Sequence, residues 1–462
     1  MDKHFHFLGI CGTAMGAVAA AMARQGYKVS GSDENVYPPM STFLESEGIK
    51  ISKGYHASNI PPDADVIIIG NAMSRGNAEV EAVLQRRLRY LSLPETMKEY
   101  FLRGKRNYVV SGTHGKTTTT SILTWLMEDS GLNPSFMIGG IARNLGRGGR
   151  FTSSEFCVLE GDEYDTAFFD KRSKFLHYLP EVVIINNIEF DHADIYNNID
   201  EIKLSFRRLT QIIPNNGLAL VNADDPNCLD VVKKAPCPVK TLGFSDSANI
   251  RILDVEATEN GSYFTLEGTR YYVPMIGEFN IRNAAMAISA AQFAGLNVKQ
   301  LAESLKKFKG VARRQEVRGE VKGITVIDDF AHHPTAIRQS IQGIRQRYPQ
   351  ARIWAIFEPR SNTTRRNIFQ SELAIALATA DFPVVAKVDN PGKVAEKDRL
   401  NLNKLENDLI ALNKSPIIGD AVDKIVFKVS ELAQPGDVIL VMSNGGFDGI
   451  HDKLLNKLNT KN

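Results

Sequence analysis

The stretch YVVSGTHGKTTTTSIL, residues 108–123, predicts a strand, a loop bounded by glycines, a lysine followed by hydroxyl residues, and then a helix. Backbone N–H groups at such a helix start bind phosphate oxygens, and the helix dipole adds to the attraction. We expect Lys116 to reach the β- and γ-phosphates of a nucleotide, and Thr117 to bind Mg²⁺. The motif is incomplete because Val110 stands where the full phosphate loop has glycine, so a chance Gly-Lys-Thr at a helix start is the alternative.

Two groups of acidic residues follow other predicted strands, within FCVLEGDEYD and VIINNIEFDHAD. The groups are Glu160, Asp162, Glu163 and Asp165, and Glu189, Asp191, His192 and Asp194. The carboxyl ends of parallel strands face one crevice, so both groups are expected to converge on the phosphates, where Mg²⁺ prefers carboxylate oxygens. Any one of these acids alone is as well explained as a solvated loop carboxylate.

Alternation of short apolar runs with helix-length amphipathic segments predicts an α/β fold. Most of the runs are continuous Val/Ile/Leu stretches, which favours parallel sheets buried on both faces. The predicted strands are His4–Leu8, Val66–Ile69, Tyr108–Val110, Phe156–Leu159, Val182–Ile185, Gly217–Val221, Ile324–Ile327, Arg352–Phe357 and Val438–Met442. Segment 250–275 alternates polar and apolar residues around ENGS, which predicts an antiparallel hairpin.

Composition favours a cytoplasmic protein of several domains. The 462 residues exceed what one core usually holds, and three blocks are predicted: 1–104, 105–314 and 315–462. A net charge of +2 gives no case for a nucleic-acid or membrane partner. The four cysteines form no C-x-x-C pair, and we expect reduced thiols. Neither a leader segment nor a bilayer-spanning apolar run is apparent.

The glycine turn in HFHFLGICGTAMGAV, residues 4–18, is similar to that of a dinucleotide-binding enzyme. Cys11 and Ala14 replace two of its glycines, which weakens the hypothesis of a nicotinamide-dependent oxidoreductase. A nucleotide-binding sensor without catalysis is another alternative. The two groups of acids argue against it, because binding alone rarely needs both.

Two later motifs carry candidate nucleotide ligands. In GEFNIRNAAMAISAAQFAG, Asn280 and Asn283 share one helix face and could read an adenine or a phosphate, although helix capping explains Asn280 equally well. In VIDDFAHHPT, the adjacent His332 and His333 should point in different directions, so we expect no shared metal. A loop presenting one histidine to a nucleotide and a plain turn before Pro334 are equally supported.

Together, GTHGKTTT, NNIEFDHAD, NIRNAA and DDFAHHPT resemble the Mur ligase family, the ATP-dependent ligases of bacterial cell-wall synthesis, in composition and order. The resemblance spans all three blocks. It implies a Rossmann-like N-terminal domain that binds a UDP-sugar, a central P-loop ATPase-like domain with a parallel sheet, and a Rossmann-like C-terminal domain that binds the acceptor. Such an enzyme would be a monomer or weak homodimer that closes its domains around the substrates.

Within the family, LGICGTAMG, GSDENVYPPMS, GNAMSRGN, EYDTAFFDKRSKF, EPRSN and VMSNGGFDGIH resemble members that attach a preformed murein tripeptide. The implied reaction joins the lactyl carboxylate of UDP-N-acetylmuramate to the amine of L-Ala-γ-D-Glu-meso-diaminopimelate through an acyl phosphate, in peptidoglycan recycling. Ligation of free L-alanine is the alternative. The arginine-rich loop of those relatives is replaced here by EPRSNTTRRN, which supports a different acceptor.

The resemblance also implies site residues. The implied catalytic residues are Lys116, Glu160, His192, Asn283, Arg313 of the Arg313–Arg314 pair, and His332. ATP would be bound by Ser111, Gly112, Thr113, His114, Gly115, Lys116, Thr117, Thr118, Asn280, Asn283, Asp328 and Phe330. Mg²⁺ would be held by Thr117, Glu160 and His192. The UDP-sugar would contact Gly9, Ile10, Cys11, Gly12, Thr13, Ala14, Met15, Asp33 and Ser74. The acceptor peptide would contact Arg360, Ser361, Asn362 and Asn444.

Three details depart from the family pattern or stay open. Phe279 stands where members often have histidine and, like Phe330, is placed to stack on adenine. Arg207 occupies roughly the place of a carbamylated lysine in several members, and Lys203 is out of register, so we predict no such modification. Loop 139–151, rich in glycine and arginine, is interpreted as mobile and phosphate-binding, or as an ordinary surface loop.

Overall fold

The computed structural model describes residues 3–388 and 394–461. These residues divide into two compact units. The first contains the chain up to Glu189, together with Ile199–Arg251 and Met286–Ser304. The second contains Phe190–Asn198, Ile252–Ala285 and the chain from Leu305 onward. No helix in these described ranges has both the length and the apolar character that crossing a membrane requires.

The N-terminal sheet of the first unit is entirely parallel. Its elements are β1 (His4–Leu8), α1 (Thr13–Arg24), β2 (Lys28–Asp33), α2 (Met40–Ser46), β3 (Lys50–Lys53), β4 (Val66–Ile69), α3 (Ala78–Gln85), β5 (Tyr90–Ser92) and α4 (Leu93–Met97). The strand order is β3-β2-β1-β4-β5, and every residue of β1 and β4 is buried. Burial on both faces explains why these strands are continuous in apolar character.

A second sheet of the first unit carries the phosphate loop. Its elements are β6 (Arg106–Ser111), α5 (Lys116–Asp129), β7 (Ser135–Met137), β8 (Gly149–Arg150), β9 (Phe156–Glu160), β10 (Asp165–Ala167), β11 (Asp170–Ser173), β12 (Pro180–Ile185), α6 (Ile199–Gln211), β13 (Leu218–Asn222), α7 (Pro226–Val231) and β14 (Val239–Gly243). The order β14-β13-β12-β6-β9-β7-β8 is parallel except between β7 and β8, while β10 and β11 form a separate hairpin. The carboxyl ends of β6, β9 and β12 therefore lie side by side.

Three antiparallel strands and two helices follow along the chain. They are β15 (Ile250–Ala257), β16 (Ser262–Leu266), β17 (Thr269–Val273), α8 (Glu278–Phe293) and α9 (Val298–Lys306). The pairing of β15 with β16 and of β16 with β17 confirms the antiparallel prediction for segment 250–275, and adds a third strand to the expected hairpin.

The C-terminal sheet lies in the second unit, with helices on both faces. Its elements are β18 (Glu316–Val321), β19 (Ile324–Asp329), α10 (Pro334–Arg347), β20 (Ile353–Phe357), α11 (Gln370–Leu377), β21 (Phe382–Ala386), α12 (Leu402–Ala411), β22 (Ile417–Asp420), α13 (Val422–Leu432), β23 (Val438–Met442) and α14 (Ile450–Thr460). The order β18-β19-β23-β20-β21-β22 is parallel apart from β18. One apolar cluster packs the sheet against α10, α11 and α12, and another packs it against α13 and α14. The nine predicted strands all coincide with observed strands, with small shifts at their ends.

Candidate active site

The loop between β6 and α5 has the backbone shape of a phosphate loop. Gly112 has φ of 128°, and a Cβ there would lie 3.0 Å from the backbone nitrogen and oxygen of Asn187. Gly115 has φ of 78° and precedes the first turn of α5. Only glycine meets both demands at Gly112, since the conformation is left-handed and the space is filled. The structure thus explains why Gly112 and Gly115 are glycines. The loop has this shape although Val110 replaces the first glycine of the full motif.

Two residues that directly follow β12, the strand next to β6, hold this loop and α5 by hydrogen bonds. Asn187 accepts the N–H of Thr113 on its backbone oxygen (3.0 Å) and the N–H of His114 on Oδ1 (2.7 Å). Asn186 donates from Nδ2 to Oγ1 of Thr119 in α5 (3.0 Å). Sequence reasoning passed over both asparagines, although the double Asn directly after a buried strand was the available signal.

Lys116 is the charged centre of the loop. Its Nζ donates to the carbonyl of Gly112 (2.7 Å) and lies 2.8 and 3.1 Å from the two carboxylate oxygens of Glu163, which is itself 2% exposed. Burial would lower the pKa of Lys116, but the carboxylates of Glu163 and Asp162 outweigh burial and raise this pKa. The lysine therefore stays charged at the start of α5.

Thr117 and Glu160, both predicted to bind Mg²⁺, are in direct contact. The Thr117 hydroxyl donates to Oε1 of Glu160 (2.9 Å), and the N–H of Gly139 donates to Oε2 (2.7 Å). A hydroxyl beside a carboxylate offers the oxygen donors that Mg²⁺ prefers. The other predicted hydroxyl, Ser111, is buried and donates to the carbonyl of Ile184 (2.8 Å), so it braces β6 against β12. Thr118 is buried within α5.

The second group of acids is divided between the two units. Glu189 belongs to the first unit, where its Oε2 lies 3.5 Å from Nε2 of His114. Asp191, His192 and Asp194 belong to the second unit. The expectation that both groups converge on the phosphates stays a prediction.

Within the second unit, Asp191 anchors its own loop. Its Oδ1 accepts hydrogen bonds from the Thr363 hydroxyl and from the backbone N–H of His192, each at 2.7 Å. Burial would raise the pKa of Asp191, but the neighbouring His192 and His332 outweigh burial and lower this pKa. His192 itself has φ of 54°, a strained left-handed conformation for a non-glycine residue. His332 Nε2 lies 3.9 Å from Asp191 Oδ2.

The two adjacent histidines point apart, as the sequence predicts. Nδ1 of His332 lies 3.0 Å from the carbonyl oxygen of Phe330. His333 instead precedes α10, where its Nδ1 accepts the N–H of Thr335 (3.3 Å) and its Nε2 lies 3.2 Å from the carbonyl oxygen of Phe190. His333 thus caps a helix, and His332 is the histidine presented by the loop.

The glycine turn after β1 is arranged around Asp33. Oδ2 of Asp33 accepts the backbone N–H of Cys11 (2.9 Å), and Gly9, with φ of 83°, donates its N–H to the carbonyl of Ser32 (2.8 Å). Gly12 directly precedes α1, whose first turn contains Thr13, Ala14 and Met15. The Ile10 side chain is buried and Ser74 is exposed. The first turn of α1 thus has main-chain N–H groups available for a diphosphate.

Asp328, predicted to bind a ribose, lies in a cluster of basic groups in the second unit. Its Oδ2 is 3.2 Å from Nε of Arg313, and its Oδ1 is 3.3 Å from Nε2 of His451. Burial would raise the pKa of Asp328, whereas His451 and Arg313 lower it, and the lowering prevails. Arg313 also donates to the carbonyls of Ser443 and Gly445 (2.8 and 2.7 Å). Sequence reasoning missed His451, because only the pairing of β19 with β23 brings its segment close.

The remaining predicted ATP residues have local contacts. Asn280 donates from Nδ2 to the carbonyl of Ile276 (2.8 Å), and Nδ2 of Asn283 lies 3.5 Å from Oδ1 of Asn280. The Phe330 ring is covered by the guanidinium of Arg314, 4.8 Å from its centroid. Phe279 is half-buried.

The predicted acceptor residues lie at the carboxyl ends of β20 and β23. Arg360 packs on Gly445 and has Nη1 3.5 Å from Oε1 of Glu358. Asn362 donates to Oδ2 of Asp194 (2.9 Å), and Ser361 hydrogen-bonds Thr364 (2.8 Å). Asn444 has a buried Oδ1 that finds no hydrogen-bond partner within the described part of the chain. A buried acceptor of this kind needs a water molecule, an ion or another polar group to satisfy it.

Two further details concern the first unit. Lys203 Nζ and Arg207 Nη2 both lie 2.7 Å from Oδ2 of Asp230, so each cation already has a carboxylate partner. Loop 139–151 ends in β8, and Arg150 there is paired with Glu128. Residues 149–150 of this loop therefore form a strand that pairs with β7.

Three family models match the chain in succession. The Mur ligase family catalytic domain matches residues 4–104, the Mur ligase middle domain matches residues 110–291, and the Mur ligase glutamate ligase domain matches residues 313–445. The chain belongs to the Mur ligase family. The match confirms the predicted family and the three-domain α/β fold class.

Relatives that match along the whole chain show which Mur ligases this chain is similar to. The chain is 42% identical to a UDP-N-acetylmuramate–L-alanyl-γ-D-glutamyl-meso-2,6-diaminoheptanedioate ligase of Haemophilus influenzae, over 99% of this chain and 100% of the relative. It is 34% identical to a UDP-N-acetylmuramate–L-alanine ligase of Burkholderia thailandensis, over 98% and 97%. A crystal structure of a murein peptide ligase from Psychrobacter arcticus matches with a TM-score of 0.73 and 35% identity, over 100% and 99%.

As a Mur ligase, the chain is an ATP-dependent amide ligase, which confirms the predicted enzyme class. The nicotinamide-dependent oxidoreductase and the non-catalytic sensor lose their support. The glycine turn after β1 thus belongs to a ligase. Its likeness to a dinucleotide-binding turn therefore does not imply a redox cofactor.

Proposed function

We propose that this Mur ligase joins the lactyl carboxylate of UDP-N-acetylmuramate to the L-alanine amine of L-Ala-γ-D-Glu-meso-diaminopimelate, with cleavage of ATP. The observation that carries the proposal is 42% identity, along the whole chain, to a ligase named for this tripeptide, against 34% to a ligase named for L-alanine. Such an activity returns recovered murein tripeptide to cell-wall synthesis.

The proposed division of labour follows the three predicted blocks. Residues 1–104 bind the UDP-sugar at the glycine turn held by Asp33. Residues 105–314 bind ATP at the loop around Lys116. Residues 315–462 bind the acceptor, with Arg360, Ser361, Asn362 and Asn444 as its contacts.

In the first step, the lactyl carboxylate attacks the γ-phosphorus of ATP, and ADP leaves. Lys116 neutralises charge on the transferring phosphoryl group, which is the main electrostatic demand of such a step. Thr117 and Glu160 have oxygens that would hold a Mg²⁺ ion. When bound, the ion would supply further positive charge next to these oxygens. Asn283 and Arg313 hold phosphate oxygens. Asp328 binds the ribose, while Asn280 and Phe330 contact the adenine.

In the second step, the tripeptide amine attacks the acyl phosphate, and phosphate leaves from a tetrahedral intermediate. His332 is proposed to face the attacking amine, because its ring is presented by the loop while His333 is used as a helix cap. His192 is proposed as a ligand of a second Mg²⁺ ion.

The test is a product analysis. The protein is incubated with ATP, MgCl₂ and UDP-N-acetylmuramate, with either the tripeptide or L-alanine as acceptor, and products are weighed by mass spectrometry. We expect the UDP-muramoyl tripeptide to form with stoichiometric phosphate release. Phosphate release with L-alanine alone would transfer the assignment to the L-alanine ligase, and no release with either acceptor would contradict both.

A further inference from the structure

Glu163 contacts Lys116 directly, through both of its carboxylate oxygens. Both carboxylate oxygens lie within hydrogen-bond reach of Nζ, at 2.8 and 3.1 Å, and the Glu163 side chain is 2% exposed. The lysine side chain is also largely buried, at 14% exposed. The pair is therefore a two-pronged ion pair inside the phosphate loop.

The same contact uses the positive charge that a nucleotide needs. Lys116 Nζ also donates to the carbonyl of Gly112, so the described contacts of the amine are carbonyl and carboxylate oxygens of the protein itself. An ammonium group has three donors and no acceptor. Phosphate oxygens can then bind Lys116 only by displacing part of this set, and the carboxylate is the member that carries competing charge.

We infer that Glu163 is a positioning residue that holds Lys116 in the phosphate loop of the nucleotide-free protein and competes with the nucleotide's phosphates for it. The inference rests on the proposed nucleotide site at this loop and adds to it a weakening of nucleotide binding. When phosphates take the ammonium, the Glu163 carboxylate loses its contact with Lys116 and lies next to a polyanion, which adds a like-charge repulsion.

Glu160 makes the role of Glu163 specific. Glu160 lies at the end of β9 and is engaged by the Thr117 hydroxyl and the Gly139 N–H. Glu160 contacts Thr117, the proposed metal ligand, whereas Glu163 contacts Lys116. The two acids are thus distinguishable by experiment, because one is expected to favour nucleotide binding with Mg²⁺ and the other to oppose nucleotide binding without it.

The test is binding of ATP to the full-length protein, without divalent ions, by isothermal titration calorimetry. Glu163→Gln keeps the shape of the side chain and removes its charge, so we expect the Kd for metal-free ATP to fall about tenfold. The same variant should unfold at a lower temperature than wild type without nucleotide, because a buried ion pair is broken. Its stabilisation by saturating ATP should be larger than that of wild type.

Glu155→Gln is the matched control, since Glu155 precedes β9 on the exposed surface and carries the same charge change. It should leave the Kd for ATP unchanged. A Glu163→Gln protein that binds metal-free ATP as weakly as wild type, or more weakly, would overturn the inference and indicate a merely structural pair. Failure of wild type itself to bind ATP, with or without Mg²⁺, would instead contradict the proposed nucleotide site.

Discussion

The first unit contains two strand–turn–helix elements that look alike in sequence and differ in chemistry. Both place a glycine with positive φ directly after a strand, Gly9 after β1 and Gly112 after β6, and both have a glycine immediately before the helix. The turn after β1 is held by a hydrogen bond from the Cys11 N–H to Asp33. The loop after β6 adds a buried cation, Lys116, and a hydroxyl–carboxylate pair.

The difference separates holding a phosphate from transferring one. Main-chain N–H groups and a helix dipole suffice to bind a diphosphate that stays intact. A phosphoryl group that changes partners needs positive charge placed where negative charge develops. Only the loop after β6 has such groups, so we assign transfer to that loop and simple binding to the turn after β1.

The largest expected effect tests the cation. Lys116→Met should lower kcat about 10³-fold, roughly 4 kcal/mol of transition-state stabilisation, while the affinity for UDP-N-acetylmuramate stays unchanged. Phosphate release and amide product at saturating substrate measure the first, and calorimetry measures the second. Lys233→Met, at an exposed cation on Asp230, serves as the control. Full activity in the Lys116 variant would remove the distinction between the two elements.

The next effect concerns the metal ligands. Glu160→Gln should lower kcat about 10²-fold and raise the Mg²⁺ concentration needed for half-maximal activity, because an amide oxygen binds a hard cation more weakly than a carboxylate. A Mg²⁺ titration of phosphate release measures both, with Glu155→Gln as the charge-matched control. An unchanged Mg²⁺ requirement would show that Glu160 only supports the loop at Gly139.

At the turn after β1, the expected effect falls on substrate affinity alone. Asp33→Asn removes the charge that accepts the Cys11 N–H, and the KM for UDP-N-acetylmuramate should rise about tenfold, or ~1.4 kcal/mol. The KM for ATP should stay the same. Asp63→Asn, at an exposed acid paired with Lys28, is the control. An equal rise in both KM values would mean that the change disturbs the fold of the first unit instead of one site.

At these two elements, the sequence could predict only the features that lie within one continuous stretch of the chain. The phosphate loop, its lysine and Thr117 all lie in one continuous stretch, so the order strand, glycine, lysine, helix is enough to place them. The partners that hold Lys116 and the loop come from other strands. Asn187 lies under Gly112 because β12 pairs with β6, and Glu163 reaches Lys116 because β9 pairs with β6.

The same limit explains the missed histidine. His451 lies more than a hundred residues from Asp328, and only the pairing of β19 with β23 brings α14 near it. Spacing along the chain carries no information about this contact.

The smallest expected effect tests whether the turn after β1 binds through its main chain. Burial and the Asp33 carboxylate raise the pKa of the Cys11 thiol to about 11, so the thiol stays protonated at neutral pH. Alkylation of Cys11 by iodoacetamide, followed by peptide mass spectrometry, should accelerate about tenfold per pH unit from 8 to 10, whereas the rate for an ordinary thiol flattens over this range. Cys11→Ala should leave the KM for UDP-N-acetylmuramate within about twofold, since alanine keeps the N–H that Asp33 accepts and loses only a neutral side chain. A tenfold rise would mean that the thiol itself contacts the sugar nucleotide, and the contrast between a main-chain turn and a side-chain loop would then no longer hold.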